Sequence, residues 1–400
     1  MRGFIPRTTL YKKAAAMAVV VGGLGAGLHL FSSYQDALEN FRWYHLQAHG
    51  VAMGNTLQQV ERSTASAALA LTRGEQLRYT QHNDVKPAQS IPVLVYHGVM
   101  ARSEGNNIAL EKFTEQLLAL QAAGYQTVSL DDFSQFMRGD KELPDQSFLL
   151  TFDDGRKDSF YPVDPILKAL DYHAVMFVIT KHALGGDSRR SHFYLSEREL
   201  KNMLNTGRWD IQSHGKDDHD FYAIDDQDTQ GHFLSNRLYL EERGRIESSA
   251  EFGQRIFTDL TISKRELEDT LGRAVISFAY PFGDFGQNPI NFPESEVFIA
   301  DAVHSVYDFA FYQGWPELGD TFNYPDPDAF MIKRINVQPH WSGEHLVKRL
   351  DRGRAKKLPY EDDFAQDNGW IKIWGRSDMT DGSLELSSVS VHRGGGFTTS

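Results

Sequence analysis

From Val93 onward, short apolar runs alternate with amphipathic stretches. Val93–Tyr96, Phe148–Phe152, Ala174–Ile179, Trp209–Ser213, Val275–Tyr280 and Ile332–Val337 read as strands. Weaker runs at Gln126–Val128 and Phe309–Tyr312 are candidate strands as well. Helical patterns lie between them at Glu111–Ala123, Pro165–Leu170, Ser196–Asn205, Phe252–Leu271 and Glu344–Leu350. Ser196 followed by Glu199 is a capping-box signature. Strands alternating with helices imply parallel pairing, and this many repeats predict an α/β fold: a distorted (β/α) barrel of about seven parallel strands.

The rhythm differs at both ends. Arg2, Arg7, Lys12 and Lys13 precede a nearly uncharged run of 18 residues, Ala14–Phe31. That is long enough to cross a hydrocarbon core of about 30 Å as a helix. The basic flank belongs in the cytoplasm, which puts the rest of the chain outside. A cleaved signal peptide is the alternative. No small-x-small cleavage site follows the run, which favours a retained membrane anchor over residues 1–33. Gly23 and Gly27 form a GxxxG pair, incidental in so glycine-rich a segment. Residues 34–90 read as an irregular helical stalk and a linker, Asn83–Pro92, with Pro87 and Pro92. The main domain then occupies 91–358. Residues 359–400 carry Trp370, Trp374, alternating Leu384 and Leu386, and glycine-rich turns. They look like the opening strands of a β-sandwich, too few to close one. Either the chain is a fragment or this segment packs on the barrel.

Hydrophobic residues make up 41% of the 400-residue chain, so its bulk is globular. The formal net charge of -13 argues against a nucleic-acid binder, which needs a basic face. With no cysteine, disulfides and thiolate metal sites are excluded.

The chemistry gathers at predicted strand ends. Thr151-Phe152-Asp153-Asp154-Gly155 leaves an apolar strand. Adjacent carboxylates repel and raise one another's pKa, a cost that a nearby cation removes. His214 and His219 follow the strand ending at Ser213. A spacing of five puts them about 140° apart on a helix, but on a loop they can converge. Two imidazoles and one carboxylate leave open positions on a metal, as hydrolysis requires. Tyr280-Pro281-Phe282-Gly283 forms a turn able to aim a backbone N–H into a pocket. His97 and His340 follow the first and last strands. Each feature alone has a bland reading as a turn or a surface histidine. Five of them at the carboxyl rim of one barrel point to a single active site.

Together Val93-Leu-Val-Tyr-His97, the Thr151–Gly155 run, His214 and His219, and Tyr280–Gly283 resemble the NodB-type polysaccharide deacetylases, carbohydrate esterase family 4. The resemblance covers roughly Ile91 to Leu350. The His spacing of five is most similar to the poly-N-acetylglucosamine deacetylases of biofilm exopolysaccharide. The resemblance implies that Asp153 is the general base. It implies that Asp154, His214 and His219 hold a divalent metal, zinc ahead of cobalt, nickel or manganese. The backbone N–H of Phe282 is implied as an oxyanion donor and His340 as the general acid. Tyr280, Pro281, Trp341 and His97 are candidate substrate contacts, and Trp315 is a candidate sugar platform. Two departures stand out. Ala279 occupies the place where many members carry the arginine that orients the base, and Asn336-Val-Gln-Pro-His340 replaces the usual Leu-x-His. The expectation is a single-pass membrane enzyme that removes N-acetyl groups from an extracytoplasmic polysaccharide, with exopolysaccharide synthesis machinery as a candidate partner. The alternatives are a deacetylase of peptidoglycan, chitin or O-acetylated xylan, or a non-catalytic glycan-binding protein on the same fold. A long polar insertion, Phe221–Ala250, either shapes substrate access or is a surface excursion.

Overall fold

The computed structural model describes residues 86–186, 191–314 and 322–352, together with the backbone of four later strands. The expected anchor, most of the stalk, and Trp315 lie outside the described residues. Among the described residues no helix is long and apolar enough to cross a membrane.

Seven strands close a barrel. In order around it they are Val93–Tyr96, Ser147–Phe152, Ala174–Val178, Trp209–Ser213, Ser277–Ala279, Phe309–Gly314 and Met331–Asn336. The last pairs back onto the first through Leu94–Ile335. Every neighbouring pair in the ring is parallel. The short strand Gln126–Thr127 extends the start of Ser147–Phe152 without entering the ring. Helices Leu110–Ala122, Asp164–Leu170, Glu197–Asn205, Ser249–Leu271 and Gly343–Arg352 match the predicted periodic stretches. The Ser196/Glu199 capping box is formed.

Alternation along each strand divides the core in two. Val93, Leu149, Val175, Phe177, Phe311 and Ile332 form one cluster, drawn from strands all around the ring: the barrel interior. Leu94, Leu150, Met176, Ile211, Phe278 and Ile335 point the other way, against the helices. Both strand faces are therefore buried, which is why Val93–Tyr96, Ser147–Phe152 and Ala174–Val178 read as nearly continuous apolar runs. The same parity carries Thr151 and Asp153 inward with Leu149, and Arg334 inward with Ile332.

Three features depart from the expectations. Lys86–Ile91, read as linker, is hydrogen-bonded to the domain: Asp145 N donates to Lys86 O, Ala88 N to Leu143 O, and Ile91 N to Asn323 O. Two unpredicted helices of eight residues or more, Leu130–Met137 and Ser295–Val306, are present among the described residues, besides the single turn Thr180–Ala183. The first is capped by Ser129, whose side chain accepts from Asp132 N, and it packs Phe133 against Phe309 and Phe311 of the interior. Beyond the barrel, Trp370–Trp374 pairs antiparallel with Gly396–Thr399, and Arg376–Thr380 with Ser383–Ser387.

Candidate active site

The strand Ser147–Phe152 delivers Asp153 and Asp154 to the carboxyl rim. The chain turns there through two left-handed residues, Asp154 (φ 71°) and Gly155 (φ 67°). The left-handed region is costly for a residue with a side chain, and such strain collects at functional sites. Its effect is to split the pair: Asp153 stays fully buried, whereas Asp154 turns to meet two histidines.

His214 Nε2 lies 3.5 Å and His219 Nε2 3.2 Å from the same Asp154 oxygen. One ligand atom from each of the three residues lies within 4.8 Å of the others. A cation about 2.0–2.2 Å from each ligand in tetrahedral array keeps the ligand atoms roughly 3.3–3.5 Å apart, so the spacing fits a shared ion. The tautomer fits as well. His214 Nδ1 is 2.8 Å from Ala279 O, which makes it the donor and leaves the Nε2 lone pair facing Asp154. On the far side of Asp154, Arg156 Nη1 lies 3.8 Å from the second carboxylate oxygen while the same guanidinium binds Asp158. Burial works to raise the Asp154 carboxyl, but His214 and His219 hold it well below its ordinary value.

Asp153 has a different partner. Arg334 Nη1 and Nη2 donate to its two oxygens at 2.6 and 2.8 Å, with the arginine fully buried in the barrel. Burial pushes the Asp153 carboxyl up. Arg334, with help from His214 and His97, outweighs that and keeps it ionised below its usual value. Gln313 Nε2 spans the neighbourhood, 3.4 Å from Asp153 Oδ2 and 3.5 Å from His97 Nε2. Among the described residues, buried His97 Nδ1 has no hydrogen-bond partner. Burial lowers the His97 pKa even though Asp153 and Asp154 pull it upward.

The Tyr280–Gly283 turn forms the opposite wall. Phe282 is left-handed (φ 58°), and its ring lies 4.4 Å from that of His219. A separate cavity of about 590 Å³ lies beside the helix Ser249–Leu271, lined by Lys216, Asp217, Arg255 and Asp259 among others. It includes none of Asp153, Asp154, His214 and His219, so it is not the seat of the chemistry.

Residues 140–292 match the sequence profile of the polysaccharide deacetylase family. Over that stretch the chain is similar to polysaccharide deacetylases. A Bacillus subtilis relative, YxkH, provisionally named a polysaccharide deacetylase, is 30% identical over 38% of this chain and 51% of its own length. A poly-beta-1,6-N-acetyl-D-glucosamine N-deacetylase of Escherichia coli K12 is 29% identical over 42% of this chain and 27% of its own. The chain thus spans about half of the first relative and about a quarter of the second. Among solved structures, a de-N-acetylase from Aggregatibacter actinomycetemcomitans superposes with a TM-score of 0.54 at 20% identity, over 65% of this chain and 99% of that one. At that identity the likeness speaks to the fold. The barrel extends well beyond the matched stretch, because Val93–Tyr96, Phe309–Gly314 and Met331–Asn336 complete the ring.

The domain brings together Asp153, Asp154, His214, His219, His97 and Phe282. It does not bring in the other candidates. Tyr280 is a core residue: its ring sits edge-on to Phe278 and its hydroxyl is 3.6 Å from Met331 sulfur. Pro281 is buried in the turn. Trp341 is buried too, stacked under the Arg349 guanidinium at 3.9 Å, and offers no face to a sugar. His340 is exposed, with its ring 6.4 Å from Trp341, and no described contact ties it to the carboxylate pair. Sequence reasoning missed Arg334. The signal was there: a cation at the inward parity of a strand that also carries Ile332 and Ile335 must have an anionic partner inside.

Proposed function

We propose that the chain is a metal-dependent N-deacetylase acting on poly-N-acetylhexosamine outside the cytoplasm, tethered by Ala14–Phe31. The observation that carries the reading is the meeting of two unlike carboxylates at one rim, one aimed at two imidazoles and one left for a proton. The poly-N-acetylglucosamine substrate rests on the relatives' activity and on the His spacing of five.

Asp154, His214 and His219 would hold a divalent cation, zinc by the character of the donors. That ion supplies Lewis acidity and makes water acidic at neutral pH. Asp153, kept ionised by Arg334, accepts the proton of the attacking water. The backbone N–H of Phe282 stabilises the oxyanion that develops on the acetamide. The amine leaves with a proton from a histidine. The family pattern suggests His340, but position favours His97, which shares Gln313 with Asp153. Neutral at rest, His97 is able to take a proton and return it to the nitrogen.

The arginine absent at Ala279 and the sandwich-like C-terminal segment lend weight to a non-catalytic glycan binder. Arg334, which binds Asp153 from another strand, supports the catalytic reading instead. Asp153→Asn is the test. Acetate release from poly-N-acetylglucosamine should fall by at least about a hundredfold, while undiminished release rejects the assignment.

A further inference from the structure

The polar insertion reaches the candidate site through Phe282. Its first strands, Phe221–Ala223 and Gln230–His232, form an antiparallel hairpin in which Phe221 pairs directly with His232. Directly opposed residues put their side chains on one face. Here the two rings meet at 5.0 Å, and both reach Phe282, His232 at 4.5 Å with only 10° between ring planes and Phe221 at 5.4 Å. Phe282 in turn contacts His219. A continuous series of rings therefore runs from the metal-ligand cluster out to solvent.

The outer end is open and the inner parts are fixed. Phe221 is 55% exposed, a large apolar surface left in water beside the site. His232 is held by Nδ1 against Asp284 Oδ2 at 2.6 Å, and Ser235 Oγ donates to the same oxygen at 2.5 Å. Gly286 N donates to the other Asp284 oxygen at 3.0 Å. A platform whose rings are already ordered loses little entropy when a ligand stacks on it. The strip is narrow and bordered by charge: Asp220 precedes Phe221 and is bound by Lys181. An amphipathic ligand with an apolar face and polar edges suits such a surface better than a broad apolar partner. A pyranose ring is such a ligand.

We propose that Phe221, His232 and Phe282 form a stacking subsite for a sugar residue next to the one whose acetamide meets Asp154, His214 and His219. The subsite rests on the deacetylase reading for its ligand, and it makes activity depend on glycan length. The insertion is then a specificity element: it favours polymer over monomer.

Phe221→Ala and Phe221→Trp in the full-length, zinc-supplied protein test this, with Phe282 left intact. Acetate release is measured on N-acetylglucosamine, on its β-1,6-linked oligomers and on a small non-sugar acetyl ester. Binding of the oligomers is followed by calorimetry, and thermal melts check folding. Phe221→Ala should lower kcat/KM and affinity on oligomers roughly three- to tenfold, leave ester cleavage unchanged, and erase the preference for length. Phe221→Trp should restore it. Unchanged oligomer affinity in Phe221→Ala, or no oligomer binding by the unaltered protein, overturns the subsite. Should the unaltered protein cleave the ester but release no acetate from any oligomer, the deacetylase reading fails. The subsite then stands only if Phe221→Ala weakens oligomer binding.

Discussion

Arg334 grips Asp153 through two parallel N–H···O bonds of 2.6 and 2.8 Å inside the barrel, 181 residues away along the chain. The pair joins fold to the proposed chemistry, because the guanidinium that satisfies a buried charge also keeps the proposed base ionised. Arg334→Met should therefore cost on two counts. Leaving Asp153 buried and unpaired destabilises by about 3–5 kcal/mol, and the neutral carboxyl that results no longer accepts a proton. Urea unfolding and acetate release check the two effects. Arg334→Lys keeps the charge but loses the two-point fork, so it should recover part of the stability and little of the rate. Full stability in Arg334→Met contradicts this account of the pair.

The two candidate proton donors separate by substitution. His97 lies beside the carboxylates, whereas His340 is exposed and packs near Trp341. His97→Ala should lower kcat by about a hundredfold or more, and His340→Ala should leave it near the unaltered value. The reverse pattern returns the acid role to His340.

Much of this was legible in the sequence. Several barrel strands, such as Val93–Tyr96, were marked because burial on both faces gives apolar runs; Trp209–Ser213 alternates instead, and both agree residue for residue with expectation. The Asp154, His214 and His219 cluster was legible because Asp154 and His214 sit just past strand ends and His219 lies on the loop that follows Ser213. Arg334 was hidden because its partner is distant in sequence and the motif logic looked for an arginine at Ala279. Tyr280 and Trp341 were misjudged as substrate contacts. Aromatic residues at a rim and in a core have the same local pattern, and only packing separates them. His232 escaped notice because its position depends on the register of a hairpin within a stretch read as loop. The helix Leu130–Met137 was missed for its brevity, although Leu130, Phe133 and Met137 repeat at helical spacing.

Asp259 gives the protein a pH dependence of opposite sign to Asp153. It is 6% exposed, and its carboxyl accepts from Lys216 N and Asp217 N. Burial nevertheless raises its pKa from 3.8 to about 6. A carboxyl raised on folding contributes its full stability below pH 3.8 and loses it as pH climbs through about 6. The loss is of order 3 kcal/mol. Asp259→Asn does not titrate, so its stability relative to the unaltered protein should rise between pH 4 and 6 and then level off. Denaturant midpoints across that range provide the check, and a difference that stays constant with pH contradicts the assignment.

The central claim is that Asp154, His214 and His219 share a cation on which deacetylation depends. It is tested most directly by acetate release from poly-N-acetylglucosamine before chelation, after chelation verified by metal analysis, and after zinc is returned. Activity should disappear with the metal and recover with about one equivalent of zinc per chain, the stoichiometry of a single three-ligand site. Full activity in metal-free protein would contradict the claim.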